Sequence, residues 1–180
     1  YTFTGSPVAT PEDGATSGMI TIENCTFEGD SELNLAVTGG KVKLLRINTN
    51  RPVVLRGIDR EGSSNRVYAM IHTSTLRGLR VENVADLTVR TNKLSGTPLL
   101  FRDNHELLFD GNRVDGGPLV FEQTEAGRFR KKKFTKCDLL CSTVRFFAPA
   151  TPGKSDRVVL DKCWFAGQTG AAELAEIVED

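Results

Sequence analysis

The sequence predicts an all-β fold, a solenoid of about seven coils whose equivalent strands stack in parallel, and three observations predict it. The first is a direct duplication. Residues 85–104 read ADLTVRTNKLSGTPLLFRDN and residues 105–124 read HELLFDGNRVDGGPLVFEQT, so Leu87 recurs as Leu107, Asn92 as Asn112, Pro98 as Pro118 and Phe101 as Phe121, each 20 positions on. A fixed period of this length marks a repeat architecture in which each unit buries its apolar face against the next. The second is that the same frame recurs outside the duplication: Ile22, Cys25 and Phe27; Val42, Leu45 and Ile47; Ile71, Ser74 and Leu76; Phe134, Cys137 and Leu139; Leu160, Cys163 and Phe165. The third is alternation of period two in short runs bounded by Gly and Pro, the pattern of half-buried strands rather than helices. Leu33 and Leu35, Val53 and Leu55, Leu79 and Val81, Leu119 and Phe121, and Val144 and Phe146 carry it.

Taken in order, residues 1–18 are rich in Thr, Ser, Gly and Pro and read as a loop or linker arm, with Tyr1 and Phe3 as the last trace of a preceding strand. Residues 19–167 carry the repeat. Each unit reads as a strand, a one-residue corner at the Asn92 or Cys163 slot, a short strand, a Gly turn and another strand. Insertions fall at one place in the unit, at residues 56–66, 122–133 and 147–157, and mark the face where a ligand or partner would be met. Residues 168–180 place Leu174, Ile177 and Val178 on one helical face and predict a short helix capping the open end of the stack.

The TVRTNKLSGTPLLF and LFDGNRVDGGPLVF units resemble the right-handed parallel β-helix family, the pectate-lyase-like superfold, and the looser fit covers residues 19–167. The resemblance implies a single right-handed β-helix domain with a stack of Asn side chains at one corner, matched here by Asn92 and Asn112 and departed from at Cys25, Leu45, Ser74, Cys137 and Cys163. It does not choose an activity, because the fold carries many.

Composition excludes more than it selects. The 23 basic residues balance the 23 acidic ones, so no global field points to nucleic acid or an anionic membrane, and no apolar run approaches the roughly 20 residues a membrane-spanning helix needs. A first residue of Tyr1 and the lack of a signal segment read as a processed chain or one module of a larger, bacterial-type protein. The fold resemblance points to an extracytoplasmic place, whereas cysteines in inward slots point to a reducing one. Cys25, Cys137 and Cys163 read as a reduced interior stack, with a Cys137–Cys163 bridge as the sterically open alternative. No cofactor and no metal site are implied, since no CxxC pair occurs.

Threading the repeat puts Arg56, Glu82, Arg102 and Glu122 in one outward column of alternating sign, read as a structural ladder or as the floor of a carbohydrate groove. Arg90 over Asp110 reads the same way. Asp59, Arg60 and Glu61 share an inserted loop. The RPVVLRG string at residues 51–57 is similar to an Arg and Pro motif of pectate lyases, with different spacing. The DNHE string at residues 103–106 is similar to the acid and His motif of mannuronan epimerases, which would make Asp103 and His105 acid and base beside Arg102; its bland reading is a tight polar turn. Arg128, Arg130, Lys131, Lys132 and Lys133 form one basic run, a solvated loop or a site for an anionic partner. Trp164 sits in an outward slot, free to stack on a sugar ring or to lie under the terminal helix. The expected function is a non-catalytic scaffold or binding module for carbohydrate or protein; the alternative is a uronan lyase or epimerase.

Overall fold

The computed structural model describes residues 2–4, 8–9, 18–58, 66–124, 131–141, 143–148, 158–165 and 176–179, with side chains described for residues 18–58, 66–124, 131–140, 143–147 and 158–165. These form an all-β, right-handed parallel solenoid of about 6 turns with no helix among the described residues. One sheet stacks seven strands in coil order: Met19–Glu23, Gly40–Leu45, Val67–His72, Asp86–Arg90, Glu106–Asp110, Lys132–Thr135 and Val158–Asp161. The seven repeat copies are therefore present, and the intervals between them are the six turns. The other two faces belong to a 14-stranded sheet, joined into one because Thr75–Glu82 and Lys93–Arg102 run on through the Gly turn without a break. All pairings are parallel, for example Leu87 with Ala69 and Leu107, and Leu99 with Leu79 and Leu119, and the register of Thr75–Glu82 against Lys93–Arg102 shifts once, between Arg77 and Leu79.

The interior is filled by the alternating apolar residues that the sequence marks. Leu33, Leu55, Leu79, Leu99 and Leu119 occupy one inner column, or its neighbour, and all are buried. In the later coils aromatic rings take over: Phe101, Phe121 and Phe146 stack with centroids 5.0 and 5.1 Å apart, and Phe109 and Phe134 pack edge-on against them and tilted against each other. Parallel stacking puts like residues over like residues, so a column of Phe makes offset stacks at the strand spacing of about 4.8 Å.

The corner between the first and second strands of each coil has two residues, not one. Asn24 (54°), Arg46 (53°), Thr73 (51°), Thr91 (55°), Lys136 (52°) and Lys162 (54°) hold positive φ, and Gly111 takes the same place at 60°. The next residue turns inward: Cys25, Ile47, Ser74, Asn92, Asn112, Cys137 and Cys163. Left-handed backbone costs a non-Gly residue on the order of 1 kcal/mol, and it persists here because the corner amides from Asn24 to Lys136 donate to a carbonyl of the next coil. Arg46 N bonds His72 O (3.0 Å), Thr73 N bonds Arg90 O (3.1 Å), Thr91 N bonds Asp110 O (2.9 Å) and Gly111 N bonds Thr135 O (2.8 Å). Asn112 fixes the inward position: its Oδ1 accepts from Asn92 N (2.9 Å) and Asn92 Nδ2 (3.0 Å), while its Nδ2 donates to Val89 O (2.7 Å). Asn92 and Ser74 pass the pattern back toward the N-terminus, Asn92 Oδ1 accepting from Ser74 N and Ser74 Oγ from Ile47 N.

The frame of the second coil differs from the expected one by two residues. Leu44, not Val42, aligns with Ile71; Ile47, not Leu45, fills the inward corner; and Thr49, not Ile47, pairs with Leu76. A slip of two keeps Val42, Leu44 and Ile47 inward and moves only Leu45 outward, so alternation cannot fix it. At the C-terminus, Glu176–Glu179 is a strand paired in parallel with Val144–Ala148; the rest of the segment expected to be helical, residues 168–175 and 180, lies outside the described residues. Ile177 is β-branched, as is Val178, and the neighbouring strand edge offers backbone partners that a lone short helix lacks. At the other end Thr2–Thr4 pairs with Thr26–Glu28, and Val8–Ala9 pairs with Leu33–Val37, so residues 1–18 contribute two short strands.

Asn112→Ala should cost about 2–3 kcal/mol in urea unfolding, because it orphans two buried donors and one carbonyl. Asn112→Ser, which keeps an acceptor as Ser74 does, should cost about half as much. Equal stability of the wild type and both variants would contradict the role given to this side chain.

Candidate functional site

The outward ladder exists as its register requires. Glu82 lies between Arg56 and Arg102 in the stack, and Arg102 pairs on to Glu122. Arg56 Nε is 2.7 Å from Glu82 Oε2, Arg80 Nε donates to Glu82 Oε1 at 2.6 Å, and Arg102 Nε donates to Glu122 Oε2 at 2.7 Å. Arg102 also approaches Glu82 at 3.6 Å. Burial opposes ionisation of Glu82, but hydrogen bonds from Arg80 and Arg56 and their positive charges outweigh it and hold its carboxyl below the ordinary 4.5. Hydrogen bonding to Glu122 in turn raises Arg102 against a desolvation that lowers it. Arg90 and Asp110 make the second expected pair at 2.9 Å. The ladder is thus internally neutralised, with its cations turned to carboxylates on adjacent rungs.

The DNHE string is accounted for by the corner between two coils. Asp103 is a left-handed corner residue with φ 52°, and its carboxylate accepts from Thr124 N (2.6 Å), Thr124 Oγ1 (2.8 Å) and Gln123 Nε2 (3.3 Å). Asn104 turns inward, accepting from Val84 N (3.0 Å) and donating to Val81 O (3.0 Å). His105 donates its backbone amide to Val84 O, and Glu106 begins the next strand. Asn104 is a second Asn corner that sequence reasoning missed, because Val84 fills its slot one coil earlier and leaves no repeat to see.

Arg51, in the RPVVLRG string, is fully buried. Its guanidinium donates to Ser31 O and Ser31 Oγ and to the carbonyls of Glu28 (3.4 Å) and Glu32 (3.5 Å), so it clamps the Gly turn of the preceding coil. The basic run divides likewise. Lys132 faces inward in the slot of Leu107 and Val158, buried, with its ammonium on the carbonyls of Asn104 and His105. Lys131 is exposed and Lys133 half-buried, in or beside a strand paired on both edges rather than a solvated loop. Arg128, Arg130, Asp59, Arg60 and Glu61 lie outside the described residues. Cys25, Cys137 and Cys163 are free thiols; burial first, then the neighbouring Cys163, pushes Cys137 up to about 12. Among the described residues no cluster of three or more His, Cys, Asp or Glu is placed to hold a metal.

One outward column stays open to solvent. Asn48, Thr75, Lys93, Arg113, Asp138 and Trp164 follow one another in register on six successive rungs, all exposed, with Trp164 60% accessible. Six members at the strand spacing reach roughly 24 Å. The strip lies directly after the left-handed corner, whose Lys136 and Lys162 flank Trp164 in sequence and in the stack. Its amide, hydroxyl, ammonium, guanidinium and carboxylate groups can hydrogen-bond a row of hydroxyls, and the indole offers a flat apolar face. Alternation marks these positions only as outward and variable; the column emerges once the register is known. No protein-family model, curated protein or solved structure matches the chain.

Because the folded Glu82 carboxyl titrates below its ordinary value, its ionised form contributes stability that is present above pH 4.5 and lost as pH falls through the folded pKa. Glu82→Gln should cost about 2 kcal/mol at pH 7, and the gap from wild type should close on acidification in urea titrations. A gap that is absent at pH 7, or that widens in acid, would contradict the ladder's energetics.

Proposed function

We propose that this chain is a non-catalytic binding module, a β-helix scaffold of the kind its repeat resembles, that takes an extended carbohydrate chain along the solenoid axis. The observation that carries this reading is the exposed column from Asn48 to Trp164. A rigid parallel stack spaces its side chains evenly along one line, so a polymer of repeating sugars lying on that line would meet a contact on each rung. Trp164 would stack on a ring at one end, and the polar rungs would fix the chain by hydrogen bonds. The residues most suited to polysaccharide cleavage or epimerisation have structural bonds instead: Asp103 caps Thr124, and Arg56 and Arg102 are held by Glu82 and Glu122. That favours binding over the lyase or epimerase reading.

The test is binding of a panel of neutral and acidic polysaccharides, read by glycan array and isothermal titration. Binding should favour chains of several sugars over monosaccharides, and Trp164→Ala and Arg113→Ala should each weaken it by roughly tenfold, as expected for loss of about 1–3 kcal/mol of stacking or charge-assisted bonding. No binding across the panel, or binding that both variants leave unchanged, contradicts the proposal. Release of unsaturated or epimerised product would support the enzymatic reading instead.

A further inference from the structure

The inward corner slots of the sixth and seventh coils are both filled by cysteine. Thr135 pairs with Asp161 and Asp138 with Trp164, and each interval is three residues, so Cys137 and Cys163 lie directly opposite each other. Lys136 N donates to Asp161 O at 2.9 Å and Trp164 N to Cys137 O at 2.8 Å, which fixes this register on both sides of the pair. Stacking places the two Cα atoms about 4.8 Å apart, inside the range of about 4.4 to 6.8 Å that a disulfide spans. Both side chains occupy the inward slot, and the two thiols are within hydrogen-bond reach of each other. Cys25 differs, because Ile47 fills the slot on the coil after it.

The two thiols are placed unequally. Cys137 is fully buried, with Sγ 3.2 Å from Phe109 O and from Thr135 O. Burial pushes this thiol up to about 12, so it stays protonated at neutral pH. Cys163 is half-buried, with its Sγ 3.6 Å from Asp161 O, and it is the one that meets reagents from solvent. The coil that carries it is also the most easily adjusted. Among the described residues, Val158–Asp161 and Trp164–Phe165 are each paired on one side only. A bridge needs the Cβ atoms to close from the stacking distance to about 3.8 Å, and an end coil can move that far.

We propose that Cys137 and Cys163 are a reversible dithiol–disulfide couple that joins the last coil to the one before it under oxidising conditions. The oxidant is a low-molecular-weight disulfide such as oxidised glutathione. Cys163, having lost its proton to solvent, attacks one sulfur of the oxidant; the oxidant's S–S bond breaks, and the first glutathione leaves as a thiolate that takes up a proton. Cys137 Sγ then attacks the Cys163 sulfur of the mixed disulfide. The second glutathione leaves with the Cys137 proton as the protein S–S bond forms. Two protein thiols thus lose two electrons, and one glutathione disulfide becomes two thiols. Trp164 follows Cys163 directly, so the bridge fixes the exposed end of the column from Asn48 to Trp164. The bridge itself does not depend on what that column binds.

The 180-residue chain carrying Cys25→Ser and Cys141→Ser, which leaves this pair as its only thiols, tests the proposal. Equilibrated in glutathione buffers from reduced to oxidised, it should pass from two free thiols to none in a single transition, with a peptide linking Cys137 to Cys163 in the non-reduced digest. Dithiothreitol should restore both thiols. The oxidised form should unfold at a higher urea concentration than the reduced one, because the closed loop restricts the unfolded chain. Cys163→Ser in the same background should slow loss of the Cys137 thiol by roughly tenfold or more, whereas Cys137→Ser should stop Cys163 at the mixed disulfide. If the background variant does not fold, the wild type is oxidised instead, and the linked peptide tells this bridge from any that includes Cys25 or Cys141. Thiols that both persist at the highest oxidised glutathione overturn the proposal. So does a mixed disulfide at Cys163 with no linked peptide, or a bridge that forms only in urea or lowers the urea midpoint.

Discussion

The rest of the structure depends on the turn that each coil makes around its left-handed corner. A residue with φ near 53° turns the chain from one sheet to the next, and its amide is then aimed at the carbonyl of the next coil. The unfavourable backbone geometry at Arg46, Thr73, Thr91 and Lys136 is retained because the stack satisfies these amides in every coil where both partners are described. The inward residue that follows supplies the second half of the constraint. Where it is Asn it replaces the missing ladder bonds with its own amide group, as Asn112 does for Asn92 and Val89. Where it is Cys the thiol makes a weaker bond to a carbonyl, as Cys137 Sγ does to Phe109 O at 3.2 Å, and where it is Ile it fills space.

A fixed corner makes every other residue part of a column. The surface chemistry then depends on which residues the columns bring together rather than on any local motif. The column of Arg56, Glu82, Arg102 and Glu122 cancels its own charge. The column of Lys93, Arg113, Asp138 and Trp164 does not, and it stays open to solvent. The outer face of the seven-stranded sheet mixes exposed apolar side chains with acids and lysines sorted by coil. These surfaces share one scaffold and differ only in what the sequence places at equivalent slots.

Much of the fold was legible because repetition is redundant. The recurrence of Leu87, Asn92, Pro98 and Phe101 twenty positions on defined the unit, and period-two alternation assigned inside and outside along the strands. What escaped is what repetition does not encode. A slip of two in the second coil kept Val42 and Leu44 both buried, so hydrophobicity was blind to it. The corner residues Arg46, Thr73 and Lys136 are types with no preference for left-handed backbone, which the stack imposes. Asn104 and Lys132 read as polar surface, yet both point inward because the coil supplies carbonyls for them. Alternating charge in the ladder was readable from spacing. The open column was not, since exposure of an outward residue depends on its neighbours in space.

Amide hydrogen exchange on the native protein tests the central claim most directly, namely that the corners are bonded parts of the stack and set its register. The amides of Arg46, Thr73, Thr91 and Gly111 should exchange as slowly as those of the adjoining strands, and Asn112→Ala should speed exchange first at Asn92 and its neighbours. Corner amides that exchange at the rate of exposed loops, while the strands stay protected, would contradict the account.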